Sequence, residues 1–96
     1  MKSVLKPAQA GTLESNDIMI IVEPGANGIV LELESIVKKQ YGESIRQTIV
    51  ETVKSYGLSD LNVKAIDKGA LDYAIRARLV TALSRAGVGP EREGKA

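Results

Sequence analysis

Ile18-Met19-Ile20-Ile21-Val22 is the stretch on which the fold turns. It is apolar at consecutive positions and mostly β-branched, too short for an isolated helix, and so predicts a strand central to a sheet and covered on both faces. Immediately upstream, Ser15, Asn16 and Asp17 carry small polar side chains that bond nearby backbone and stabilise a reversal. Gly11 to Glu14 before them reads as a short strand, which puts Ser15 at a turn between two strands. Downstream, Pro24, Gly25, Asn27 and Gly28 form the strongest break in the chain, because proline fixes one backbone angle and glycine and asparagine accept left-handed ones. Beyond that break Ile29, Leu31 and Leu33 alternate with Val30, Glu32 and Glu34, the period of a strand with one apolar face. The pattern predicts that this strand pairs with Ile18 to Val22 as a hairpin.

From Val37 the period lengthens. Val37, Tyr41, Ile45, Ile49, Val53 and Tyr56 recur at helical spacing. Ser44 followed by Gln47 fits a capping box, which sets the predicted helix at Ser44 to Tyr56, with Gly42 weakening anything earlier and Gly57 as the stop. Leu61, Val63 and Ala65 then predict a half-buried strand, broken by Asp67-Lys68-Gly69, which can cap the next helix. That last helix carries the stripe Leu71, Ala74, Ile75, Leu79, Ala82, Leu83 and Ala86, with Asp72 and Arg76 spaced to pair, and ends at Gly87 and Pro90. The fold class predicted is α+β: a small single domain with N-terminal β-hairpin strands, then helix, strand and helix packed on a mixed or antiparallel sheet. Residues 1–10 read as a flexible N-terminal arm, 11–87 as the domain and 88–96 as a flexible C-terminal tail.

Composition narrows the chemistry. The chain of 96 residues has room for one core, and with 44% apolar residues but three tyrosines as its only aromatics that core must be aliphatic. A formal charge of +1 gives no field for a phosphate backbone or an anionic membrane, so neither nucleic acid nor membrane is expected as a partner. There is no Cys and no His. Disulfides, Ser-His and Cys-His nucleophiles and the usual zinc ligand sets are therefore excluded. Between Lys2 and Lys6 only Val4 and Leu5 are strongly apolar, which leaves no export signal, and no run reaches membrane-spanning length. A cytoplasmic location is expected.

The individual candidates have plain readings when taken alone. A serine in a polar turn, as Ser15 is, is ordinarily a turn former. Glu14 and Asp17 beside it read as ionised carboxylates that solvate the turn rather than as an acid pair. Pro24 to Gly28 lacks the Lys-Ser or Lys-Thr ending of a phosphate loop. Arg76, Arg78 and Arg85 read as a solvated helix face, with a phosphate or partner contact as the sharper alternative.

Taken together, Ala10-Gly11-Thr12-Leu13-Glu14-Ser15-Asn16-Asp17 followed by Ile18 to Val22 resembles the start of the citrate lyase acyl carrier protein, the gamma subunit. Lys39-Gln40-Tyr41-Gly42 leading to Ile45-Arg46 resembles that family's central helix. Asp67-Lys68-Gly69-Ala70-Leu71-Asp72 leading to Ile75-Arg76-Ala77-Arg78 resembles its last one. The eight residues ending at Asp17 are the specific element, and the resemblance covers nearly the whole domain. It implies a non-catalytic subunit whose Ser15 is joined by a phosphodiester to 2'-(5''-phosphoribosyl)-3'-dephospho-coenzyme A, an arm ending in a thiol. In the family that thiol carries acetyl, exchanges it for citryl on the alpha (transferase) subunit, and presents citryl to the beta (lyase) subunit, which releases oxaloacetate. The implied partners are those two subunits, a prosthetic-group transferase and an acetylating ligase. Glu14 and Asp17 become docking candidates, since the arm must reach both active sites. Two alternatives remain at this stage: the carrier subunit of malonate decarboxylase, which uses the same kind of arm, and an unmodified α+β binding or regulatory module.

Overall fold

The structure is a computed structural model that describes residues 4–89. Three strands come first: β1 (Ala8–Gly11), β2 (Ile18–Pro24) and β3 (Ile29–Ser35). Helix α1 (Lys38–Ser55), strand β4 (Leu61–Asp67) and helix α2 (Asp72–Arg85) complete the order. The sheet order is β1-β2-β4-β3. β2 is antiparallel to both β1 and β4, whereas β3 runs parallel to β4. This is the predicted α+β domain on a mixed sheet, opened by the β1–β2 hairpin.

The second predicted hairpin does not form. β4 is inserted between β2 and β3, with Val22 and Leu31 both opposite Val63. The Pro24 to Gly28 turn is therefore a wide connection rather than a hairpin loop. It is tied to the start of β4 by Gly28 N–H on the Asp60 carboxylate (2.8 Å) and by Leu61 N–H on Gly28 O (3.0 Å).

Nor is β2 covered on both faces. Ile18, Ile20 and Val22 are fully buried under the helices with Leu61, Val63, Ala65, Ile49, Val53, Ile75, Leu79 and Leu83. Met19 and Ile21 lie on the open face and are only half-buried, sheltered by their cross-strand neighbours Ile66 and Lys64. The core is aliphatic, as composition requires, and each such side chain contributes about 1.5–3 kcal/mol on full burial.

Order begins earlier than Gly11. Val4 is buried, Leu5 N–H donates to Ala86 O at 3.0 Å, and β1 occupies Ala8–Gly11 instead of Gly11 to Glu14. The reason is local: Gly11 has φ +101°, a left-handed bend that ends the strand where sequence alone placed its beginning. Helix α1 likewise starts six residues ahead of Ser44. Its N-cap is Val37, whose N–H is taken by Ser35 Oγ (3.1 Å), and no capping box forms, since Gln47 bonds Glu51 instead. Gly42 sits inside the helix and Gly57, at φ +76°, lies just beyond its C-cap, Tyr56. Helix α2 has Leu71 as its N-cap with no side-chain capping bond, and among the described residues Asp72 and Arg76 form no ion pair. Residues 1–3, including Lys2 of the arm, and 90–96, including Pro90 and most of the tail, lie outside the described residues. Among those described, no helix is long and apolar enough to cross a membrane.

Candidate functional site

The β1–β2 reversal occupies residues 12–17, at the end of the sheet where β2 begins and β3 and β4 finish. Asp17 N–H donates to Glu14 O at 3.2 Å, closing a four-residue turn with Ser15 and Asn16 at its centre. Asn16 has φ +65°, the left-handed conformation that a type II turn needs at that position and that asparagine tolerates better than other non-glycine residues. Ser15 is thereby carried outward. Its side chain is exposed and its hydroxyl bonds to none of the described residues. Glu14 is exposed beside it.

Asp17 is turned the other way. Its carboxylate is 16% exposed and accepts a two-pronged contact from Arg78, Nη2 to Oδ2 at 2.7 Å and Nε to Oδ1 at 3.0 Å. Thr12 Oγ1 donates to the same Oδ2 at 2.7 Å, and Ile18 N–H donates to Oδ1 at 2.8 Å. Thr12 Oγ1 in turn accepts the Glu14 N–H at 3.2 Å. One carboxylate thus joins both ends of the reversal to α2. Planar guanidinium on planar carboxylate is the geometry in which a charged pair also fixes orientation.

A second set of bonds fixes the reversal from the side. Asn16 N–H donates to Lys68 O and Lys68 N–H to Asp17 O, each at 2.8 Å, continuing the β2–β4 ladder past the end of the strands. The Lys68 loop is held by Asp67, 1% exposed, which accepts Ser35 Oγ–H (2.8 Å) and Ala70 N–H (2.9 Å). This is what Asp67 does instead of capping α2. At the opposite end Arg85 donates to Gln9 O at 2.8 Å, so two of the three arginines read as a solvated face brace the hairpin against α2. The third, Arg76, is exposed.

The Arg78 hydrogen bond, then that of Thr12, lowers the Asp17 carboxyl from its ordinary 3.8 to about 2, against the opposing effect of burial. The same pairing raises Arg78. A carboxyl lowered on folding adds stability that is fully present above its unfolded value and disappears as pH falls through its folded one. The thermal midpoint of the wild type should therefore drop between pH 4 and pH 2, and Asp17→Asn should remove that component of the slope. Parallel melts across pH 2–5 check this, and equal slopes would contradict it. Because half of the pair is solvent-screened, the effect is modest.

Sequence reading singled out Ser15 but not what positions it. Arg78 lies 61 residues from Asp17, and nothing in its spacing set it apart from Arg76. Thr12 entered only as one of the eight residues that carry the resemblance, with no role of its own.

A family model described as malonate decarboxylase delta subunit (MdcD) matches residues 5–86 of the chain. The citrate lyase acyl carrier protein of Lactobacillus acidophilus is 56% identical over 79 residues, 82% of this chain and 81% of that relative. The one from Halothermothrix orenii is 49% identical over 88 residues, covering 92% of this chain and 94% of its own. Among solved structures, a chain of a Pseudomonas malonate decarboxylase hetero-tetramer in complex with malonate superposes with a TM-score of 0.77 at 20% identity, over 90% of this chain and 89% of that one. At that identity the likeness speaks for the fold alone.

Proposed function

The chain belongs to the citrate lyase acyl carrier protein family, and from that premise we propose that it presents acyl groups to the catalytic subunits of a citrate-cleaving complex on an arm anchored at Ser15. It is a carrier and not the catalyst, and membership implies a covalently attached prosthetic group and a multi-subunit setting. We take the arm to be 2'-(5''-phosphoribosyl)-3'-dephospho-coenzyme A, the partners to be the alpha and beta subunits with a prosthetic-group transferase and an acetylating ligase, and the location to be the cytoplasm.

The observation that carries the reading is the exposed Ser15 hydroxyl, bonded to none of the described residues, on a braced turn. An anchoring residue must be reachable by a transferase, must not have its oxygen engaged elsewhere, and must sit on a mount that does not yield as the arm swings. Ser15 meets the first two conditions, and the Asp17–Arg78 pair with the Lys68 ladder meets the third. Once attached, the arm supplies a thiol on which an acyl group rides as a thioester, chemistry that a chain without cysteine cannot offer. Tethering keeps the cargo at an effective concentration of order millimolar between active sites. In this division of labour Glu14 is an exposed docking candidate, while Asp17 acts through positioning, because its oxygens are already engaged.

The malonate decarboxylase reading has the family model and the shared fold in its favour. The citrate lyase reading has relatives 46–56% identical over most of the chain, and we adopt it. Coexpression with the matching prosthetic-group transferase should raise the intact mass by that of the arm, with the whole gain on the peptide containing Ser15. A mass equal to the bare chain would overturn the anchor assignment and revive an unmodified binding module.

A further inference from the structure

Single exposed apolar side chains are ordinary, but several large ones gathered at one end of a small domain are not. Leu13, Ile36, Tyr41, Leu71 and Tyr73 are between 54% and 70% exposed. By chain position all five belong to the end of the sheet that bears Ser15. Tyr41, Leu71 and Tyr73, with Val37, Ile45 and Ala70, line a groove of ≈ 650 Å³ between the starts of α1 and α2. Its polar members are few: the Ser44 hydroxyl, the tyrosine hydroxyls and Asp72.

The groove reaches the Ser15 turn across one residue. Gly69 lines it, and a methyl group placed on Gly69 would lie 3.9 Å from Asn16 Cα and 3.9 Å from Ile36 Cδ1. Successive Cα atoms are about 3.8 Å apart, so Ser15 stands within about 8 Å of that wall. Gly69 itself carries no side chain, and what lies against it from the turn is the Asn16 carboxamide, its Oδ1 3.5 Å from that methyl position.

We propose that this groove receives the pantetheine portion of the arm between transfers and shelters its thiol, an inference that rests on Ser15 being the anchor. The sizes match, since small-molecule sites typically span roughly 300–1,000 Å³. The chemistry matches as well: a gem-dimethyl group and methylene chains suit the aliphatic and aromatic walls, and the two amides suit the Ser44 and tyrosine hydroxyls. The phosphoribosyl, adenosine and diphosphate groups of the arm stand between Ser15 and the pantetheine, so the pantetheine reaches the groove by folding back over that length, and a ligand tethered in this way needs little intrinsic affinity. At an effective concentration of about 1 mM, a groove that bound free pantetheine with a Kd of about 0.3 mM would shelter the thiol about fourfold.

The experiment compares the bare chain with the chain loaded by coexpressed transferase, with loading verified by intact mass. In ¹⁵N-labelled protein, loading should shift Tyr41, Ser44, Ala70, Leu71 and Tyr73 in addition to the turn itself. The loaded thiol should react with a chromogenic disulfide about fourfold more slowly than in Ser44→Trp, where the indole fills the groove. Tyr73→Asp, a change at a well-exposed position, should release the thiol in the same way. Shifts confined to residues 13–18, groove residues that respond only when a catalytic subunit is added, or a thiol rate indifferent to both variants would overturn the proposal and leave the anchor assignment standing. Coexpression that yields no mass gain on the Ser15 peptide would overturn the anchor itself, and the sheltering groove with it.

Discussion

Ser15→Ala should abolish arm incorporation and reduce citrate cleavage by the reconstituted complex to background, while leaving the melting midpoint of the carrier unchanged. The two halves of this expectation have different causes. Loss of function is expected because the turn offers no other free nucleophile: the chain has no thiol and no imidazole, and the turn hydroxyl nearest to Ser15, that of Thr12, is already engaged with Asp17 and the Glu14 N–H. Unchanged stability is expected because the removed oxygen is exposed and bonds nothing among the described residues, and surface changes of that kind stay within about 0.5 kcal/mol. Intact mass, turnover of the complex and a thermal melt on one preparation read all three quantities. Turnover comparable to the wild type, or an arm still attached, would end the assignment of Ser15. A collapsed melt would mean that the hydroxyl is structural, contrary to its exposure.

How far the sequence disclosed this molecule depends on whether the information is local. The alternation of Ile29 to Glu34, the helical stripe from Val37 to Tyr56 and the glycine stop at Gly57 are properties of neighbouring residues, and each element lies close to where its pattern set it. What no local pattern carries is which strand lies beside which. Ile18 to Val22 and Ile29 to Glu34 look like hairpin partners across a Pro-Gly turn, yet β4, contributed by residues some thirty positions later, takes the place between them. The same distinction divides the site. Ser15 and the left-handed preference of Asn16 are written in the turn itself, whereas the Arg78 fork on Asp17 exists only because α2 is laid along the hairpin. Strand ends fail for a third reason. Val4 to Ala10 has no clear period, but its role is to place Val4 and Ala10 in the core and to pair Ala8 with Val22, which a short edge strand accomplishes without a repeating pattern.

Gly11→Ala should be the most destabilising single methyl added to this chain, costing on the order of 3 kcal/mol or more and lowering the melting midpoint by roughly 15 °C. Two effects compound at that position. Its φ of +101° lies in the left-handed half of backbone space, where a residue with a Cβ carries a strain of about 1–3 kcal/mol. The added methyl would also point into backbone, overlapping the Ile18 carbonyl oxygen, so that no side-chain rotation could relieve the contact. Gly28→Ala separates the two effects, since Gly28 has φ +80° but open space around it, and should cost only about 1–2 kcal/mol. The consequence reaches function. Gly11 faces Met19 in the last rung of the β1–β2 ladder, and the chain crowded by the new methyl is the strand that leads out of the Ser15 turn. Gly11→Ala should thus slow arm incorporation even at temperatures where the domain remains folded, because the displaced strand pulls Asp17 away from Arg78 and loosens the mount. Denaturant melts of both glycine variants, with incorporation rates measured well below the lower midpoint, test this. If the two variants proved equally stable, the close approach of Gly11 to Ile18 would not govern the hairpin.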